Sequence, residues 1–380
     1  MSKCEELFCV KSGETKKLTP DWYILNDAAA SAVPGLLRGR TVRFPERVKV
    51  FIDHDTPCGS VEAAALQKEL IACAENIGCE LMNGAGISYQ IMLDRFVAEG
   101  QVVASCSPHA PIFGAANALG LYLSPEQMAD ALVSGETEFI APEAVSVEIT
   151  ALPQFPLGAK DLALMLVDKA GTSLKDKAVE FCGAGAAKMP RHDRITLCQM
   201  VKDTGATAAF FDVERASADF RLETDALVPL VAGPDTVSRV RPLAHADQVA
   251  VNEVFIGGCS GGRIEDLRAA AEVLRGRQVP LHVRLMVAPA TSEAFLQAAE
   301  EGLIDVFFDA GAIMMGQGCS VCWGRHQGFI GENEVLVSSG SRCSRGVAGP
   351  QSSKVYVCSP VTAARCALAG KICEEREVRP

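Results

Sequence analysis

The last third of the chain alternates between strand and helix, and nothing else in the sequence constrains the fold as much. Short apolar runs at 253–256, 281–285 and 305–308 read as strands, and stretches at 264–274 and 292–301 carry helical periodicity between them. Strands separated by helices pair most simply in parallel, so this region reads as a parallel α/β sheet. The ligand sites of such sheets lie beyond the carboxyl ends of the strands.

The first of these strands runs into Gly257-Gly258-Cys259-Ser260-Gly261-Gly262-Arg263. Further along, Gly316-Gln317-Gly318-Cys319-Ser320-Val321-Cys322-Trp323-Gly324 sets two cysteines three apart in an uncharged run of mostly small residues. Thiolate is the soft ligand that iron–sulfur clusters and zinc prefer. Glycines on either side let the backbone approach a bulky inorganic core. Three thiols instead of four would leave one iron open to substrate, whereas structural zinc and electron-transfer clusters are normally closed by four ligands. Taken alone, the same cysteines also fit buried free thiols, a zinc site or a redox dithiol.

Composition narrows the class. The 380 residues suffice for two or three domains, and a hydrophobic share of 48% supports sizeable cores. A formal net charge of -11 argues against nucleic acid as a general partner. No run of 18 apolar residues suggests a membrane span, and Met1-Ser2-Lys3-Cys4-Glu5-Glu6 has no apolar signal core. Fifteen cysteines scattered through apolar segments suggest a reducing, cytoplasmic setting.

Earlier in the chain, residues 1–18 read as polar and peripheral. A strand at 22–25 leads into Asn26-Asp27 and an Ala-rich helix at 28–37. A strand at 48–52 ends in Asp53-His54-Asp55, where an aspartate can orient or charge the imidazole; a solvated turn would read the same way. A strand at 101–104 leads to Ser105-Cys106-Ser107-Pro108-His109 and a Gly/Ala-rich helix at 113–121. Residues 221–247, punctuated by prolines, read as a crossing between domains.

The stretch from Val254 to Ala271, with Arg263-Ile264-Glu265-Asp266-Leu267 after the cysteine loop, resembles the cluster loop and helix of the aconitase superfamily. It is similar in particular to the large subunits of 3-isopropylmalate dehydratase and homoaconitase. Gly318-Cys319-Ser320-Val321-Cys322 resembles that family's paired-cysteine loop. The resemblance implies an α/β/α fold of three similar-sized domains, at 1–142, 143–245 and 246–380, around a central 4Fe-4S cluster. It implies Cys259, Cys319 and Cys322 as cluster ligands, with one iron open. Asp53 and His54 would assist at the leaving hydroxyl, with His109 as a further catalytic group. Asn26, Arg342 and Arg345 would contact the substrate. The implied activity is that of a hydro-lyase on a hydroxy-di- or tricarboxylate of the isopropylmalate, homocitrate or dimethylmalate type. The family's serine base sits on a separate swivelling domain, so a small swivel-domain subunit is the expected partner.

The sequence also departs from the family. Gly261 stands where relatives have Asn, Tyr89 replaces the His before Gln90, and Ser107-Pro108 replaces the Asp-Ser before His109. Ser341 stands at an Asn position, and Arg345 is out of register. Such changes imply an unusual substrate. The alternative is a non-catalytic iron–sulfur binding or sensing protein on the same fold.

Overall fold

A computed structural model describes residues 2–373, apart from 214, 216, 247 and 326; the expected segment 246–380 runs beyond its last described residue. Among the described residues, three sheets organise the chain. The first orders its strands Glu80–Asn83, Val48–Ile52, Trp22–Asn26, Val102–Ser105 and Leu119–Tyr122, all parallel. The second runs Ala208–Phe211, Ala178–Cys182, Ala144–Ile149 and Phe220–Leu222, again parallel. The third begins with Val240–Pro242 and Leu230–Ala232, then continues with Lys354–Cys358, Val335–Ser338, Glu253–Ile256, Arg284–Val287 and Ile313–Met314. Its first two strands pair antiparallel and the rest parallel. This is the α/β class that the alternation predicts.

Every residue of Val48–Ile52, Val102–Ser105, Ala178–Cys182 and Glu253–Ile256 is buried. Parallel strands covered on both faces are buried along their whole length in this way. Helix ends follow local chemistry. Ser60 caps Val61–Ile77 by accepting from the Ala63 amide, and left-handed Gly78 ends it. Ser124 and Pro125 start Pro125–Ser134 with a reciprocal Ser124–Gln127 box. One buried apolar cluster draws on all three sheets, including Phe51, Val147, Phe181, Phe255 and Val355, and it contains Cys259 and Cys319.

Several sequence expectations change. The amino-terminal segment is not peripheral. It forms the helix Lys3–Phe8 and the strand Thr15–Leu18, which pairs with Thr137–Ile140, and Cys4, Phe8, Val10 and Leu18 are buried. The Glu180 carboxylate, on the second sheet, accepts from the amides of Lys3 and Cys4 and so anchors it. The Ala-rich stretch at 28–37 is helical only over Val33–Leu36, where Pro34 and Gly35 weaken any longer helix. The stretch at 113–121 is the end of a 3-10 segment, Ala110–Ala116, followed by the strand Leu119–Tyr122. Its glycines serve close packing: a Cβ on Gly114 or Gly120 would lie 1.9 Å from the carbonyl oxygen of Ala209 or Ala110. Residues 305–308 belong to the helix Leu303–Asp309, and the strand is Ile313–Met314. Leu303, Val306 and Phe307 are buried at helical spacing, and Phe308 is exposed. In the proline-rich crossing, Phe220–Leu222 belongs to the second sheet, while Leu230–Ala232 and Val240–Pro242 already belong to the third. By sheet membership the chain therefore passes from the second sheet to the third between 222 and 230.

Candidate metal and substrate site

The carboxyl ends of the first and third sheets meet at a small cavity. His54, Tyr89, His109, Cys259, Cys319, Cys322, Trp323 and Arg342 line it. His54 lies two residues past Val48–Ile52, and His109 follows Val102–Ser105. Cys259 follows Glu253–Ile256, and Arg342 follows Val335–Ser338. The paired cysteines come after Ile313–Met314. Period-two strands carry these loops to one place, as expected for such sheets.

Backbone contacts bind the loops together. The Cys319 amide donates to the Asp53 carbonyl at 3.1 Å. A Cβ on Gly318 would lie 2.8 Å from that oxygen, so the glycine permits the approach. The Cys259 carbonyl accepts from Gln90 Nε2 at 2.7 Å and from Arg263 Nη1 at 3.0 Å. The first and third sheets also touch at Gly86, where a Cβ would sit 2.4 Å from the Thr291 Cα.

The three thiols suit an inorganic group larger than one ion. Among the described residues, Asp27, Asp53 and His54 form the one trio of such ligand groups whose atoms all lie within 4.8 Å of each other; the sulfurs are spread more widely. A tetrahedral zinc would draw its sulfurs to about 4 Å apart. Glycines make the cradle: a Cβ on Gly340 would lie 2.8 Å from Cys322 Sγ, and one on Gly258 would lie 3.7 Å from it. Burial, reinforced by Cys322 and Cys319, pushes the Cys259 thiol up to about 12. Burial also raises Cys319, against the pull of His54. Burial thus disfavours the thiolate at Cys259 and Cys319, and binding a soft metal would favour it.

The two histidines are held in opposite states. His54 Nδ1 lies 2.5 Å from Asp53 Oδ1 and 3.6 Å from Asp27 Oδ1. Burial disfavours its charge, but Asp53, Cys319 and Asp27 together hold it well above the usual imidazole range. Asp27 also accepts from the backbone amides of Asp53, His54 and Asp55. Burial opposes its ionisation, yet His54 and those amides bring its carboxyl down to about 2. His109 is pushed well below the usual range by burial and by the charges of Lys202 and Arg342. Gln199 Nε2 lies 3.0 Å from His109 Nδ1. With the amide donating, Nδ1 accepts and Nε2 carries the hydrogen.

Tyr89 stacks parallel to His109, with ring centroids 5.8 Å apart. Its hydroxyl accepts from Asn26 Nδ2 at 3.1 Å, and burial pushes it up to about 12. Trp323 lies edge-on to His54, donates to Asp55 Oδ1, and carries the Arg342 guanidinium 5.1 Å from its ring centroid.

Of the nine sequence-predicted site residues, six line the cavity, Asp53 and Asn26 bond directly to a lining group, and Arg345 does neither. Asn26 Oδ1 accepts from the Ala29 amide and its Nδ2 donates to the Tyr89 hydroxyl, so it reaches the cavity through the tyrosine. Arg345 is exposed and paired with Asp235 at 2.6 Å. Four residues of the site were not among the expected site residues: Asp27, Trp323, Gln199 and Tyr89, the last marked in the sequence only as a departure from the family. A signal existed for two of them. Trp323, one of two tryptophans, directly follows the paired cysteines, and Tyr89 is a bulky phenol ahead of Gln90. The Gly261 departure has a packing reason: a Cβ there would lie 2.3 Å from Ser339 Oγ.

Comparison with known proteins agrees with this geometry. The model of the aconitase family (aconitate hydratase) matches residues 12–229 and 231–370. The chain is 32% identical over 386 residues to the 3-isopropylmalate dehydratase large subunit 2 of Archaeoglobus fulgidus, covering 94% of this chain and 93% of that one. It is 33% identical over 395 residues to the homoaconitase large subunit of Thermus thermophilus, covering 97% and 94%. Among solved structures, the holo-form of Thermococcus kodakaraensis aconitase X has a TM-score of 0.56 at 13% identity, over 85% of this chain and 83% of that one, a likeness of fold. The cysteine loops, the strand-end cavity and these matches together show that the chain belongs to the aconitase family.

Proposed function

We propose that the chain is the cluster-bearing large subunit of a hydro-lyase that adds and removes water on a hydroxy-di- or tricarboxylic acid of the isopropylmalate, homocitrate or dimethylmalate type. The observation that carries this reading is one cavity lined by three thiols, two imidazoles and a guanidinium. The names of the relatives support the large-subunit role.

Cys259, Cys319 and Cys322 would hold a 4Fe-4S cluster, which when bound supplies an open Lewis-acid position that polarises the substrate hydroxyl. His54, kept protonated by Asp53 and Asp27, gives its proton to the departing hydroxyl. Arg342 holds a substrate carboxylate, and Trp323 steadies that guanidinium by a cation–π contact. Neutral His109 and the Tyr89 hydroxyl hydrogen-bond to the substrate and hold its orientation. The second carboxylate contact and the base for the carbon-bound proton come from a small partner subunit. In this reading three domains, each built on one of the sheets, would form the wall on which the partner closes.

Anaerobic reconstitution with iron and sulfide tests this, followed by metal counting and assay of hydroxy-acids with and without the small subunit. The reading expects about four irons per chain and turnover only with the partner. Zinc in place of iron in the wild type, or a cluster with no turnover in any partner mixture, would overturn it.

A further inference from the structure

Behind the cysteine loops lies a charged group that the chemistry above does not use. Lys160 stands in the first turn of Ala159–Ala170, a helix whose residues are almost all buried, and is itself 2% exposed. Its Nζ donates to Ser260 Oγ at 2.6 Å, to the Gly340 carbonyl at 2.7 Å and to the Ser339 carbonyl at 3.0 Å. All three ammonium hydrogens are therefore spent on two loops. One loop carries Cys259, and the other leads to Arg342. The carboxylates whose fields reach Lys160, Asp266 and Asp203, are paired instead with Arg263 and Lys202.

A buried ammonium held by neutral oxygens lacks a counter-charge, which is costly to maintain. Burial lowers the Lys160 ammonium to about 8, and of the groups that oppose this Cys259, once ionised, acts most strongly, ahead of Asp266 and Cys322. We infer that Lys160 is a positioning residue that locks the Cys259 loop to the Arg342 loop and supplies the fixed positive charge against the thiolate face of the metal site. This rests on the reading of the cavity as a cluster site. Ser260 extends the lock by donating to the Ser339 carbonyl at 3.3 Å, and Ser339 Oγ accepts from the Gly257 amide at 2.9 Å. Loss of metal would strand the ammonium, so the charge favours the loaded state.

The test compares reconstituted wild type, Lys160→Met and Lys160→Arg. The readouts are the midpoint potential of the cluster, followed by electron paramagnetic resonance, and the rate of iron release to a chelator. Removing a nearby positive charge makes reduction harder. Lys160→Met is expected to shift the potential negative and to release iron about 10- to 100-fold faster. Lys160→Arg is expected to keep the wild-type potential. Should the Met variant fail to fold, Lys160→Gln, which can still hydrogen-bond to Ser260 but carries no charge, gives the same readout. A neutral variant with unchanged potential and iron release would overturn the role of Lys160 alone. A wild type that takes up no cluster would overturn the underlying reading instead.

Discussion

The Tyr89 ring lies parallel to the His109 imidazole, with an interplanar angle of 1° and centroids 5.8 Å apart, while its hydroxyl accepts from Asn26. The phenol thus fixes a face of the neutral histidine and offers an oxygen to the cavity. Tyr89→Phe keeps the stack and removes the oxygen. The Asn26 donor is left unpaired, which costs about 1–2 kcal/mol of stability. If the hydroxyl contacts developing charge, kcat/KM falls about 100-fold. Steady-state kinetics beside a denaturant melt separate the two effects; an unchanged kcat/KM would remove the hydroxyl from the mechanism.

The two arginines after Ser341 should behave differently. Arg342 lines the cavity against Trp323, so Arg342→Ala is expected to raise KM about 100-fold, the worth of a lost charge-assisted carboxylate contact. Arg345 pairs with Asp235 at the surface, so Arg345→Ala should leave kcat/KM and Tm at wild-type values. Equal defects in the two variants would contradict this placement.

Glu253 gives a pH signature far from the cavity. It lies fully buried in its strand, 3.0 Å from Arg284 Nε, and burial pushes its carboxyl up to about 7 despite that partner. The unfolded carboxyl titrates near 4.3 (a roughly typical glutamate value). Between those two values the native state holds a proton that the unfolded state has lost, so stability falls as pH rises through this window. Glu253→Gln removes that slope. From pH 5 to pH 8 the variant should gain on the order of 2 kcal/mol relative to wild type in urea unfolding.

Gly340→Ala places a methyl 2.8 Å from Cys322 Sγ. The thiol can rotate away, so the fold should survive and the Tm should change little. Iron affinity is expected to fall about tenfold. Metal counting after dialysis against a chelator reads this directly, and full iron retention would show that the cradle has slack.

What could be read in advance follows from which interactions are local. Strand–helix alternation and the spacing of Cys319 and Cys322 are properties of neighbouring residues, and they led to the sheet class and the thiol set. The helix at Leu303–Asp309 was missed because a short apolar run has no decisive period. The strand at Leu119–Tyr122 was missed because Gly120 looked like helix filler, when it is there for contact with Ala110. Asp27 and Gln199 act through partners far along the chain, His54 and His109, and no local pattern announces such a pairing. Arg345 entered as a second guanidinium out of the family's register, and its partner Asp235 lies 110 residues away, a pairing that no local pattern announces.

The hydrogen bond from the Cys319 amide to the Asp53 carbonyl has a consequence for how the molecule ages. The loop that would grip metal hangs on the same peptide that carries His54. If one moves, the other loses its address. Damage by oxygen would then sort a sample into molecules that work and molecules that do not, with few intermediates, and lost activity would be best counted as a fraction of chains instead of a slower rate in all of them.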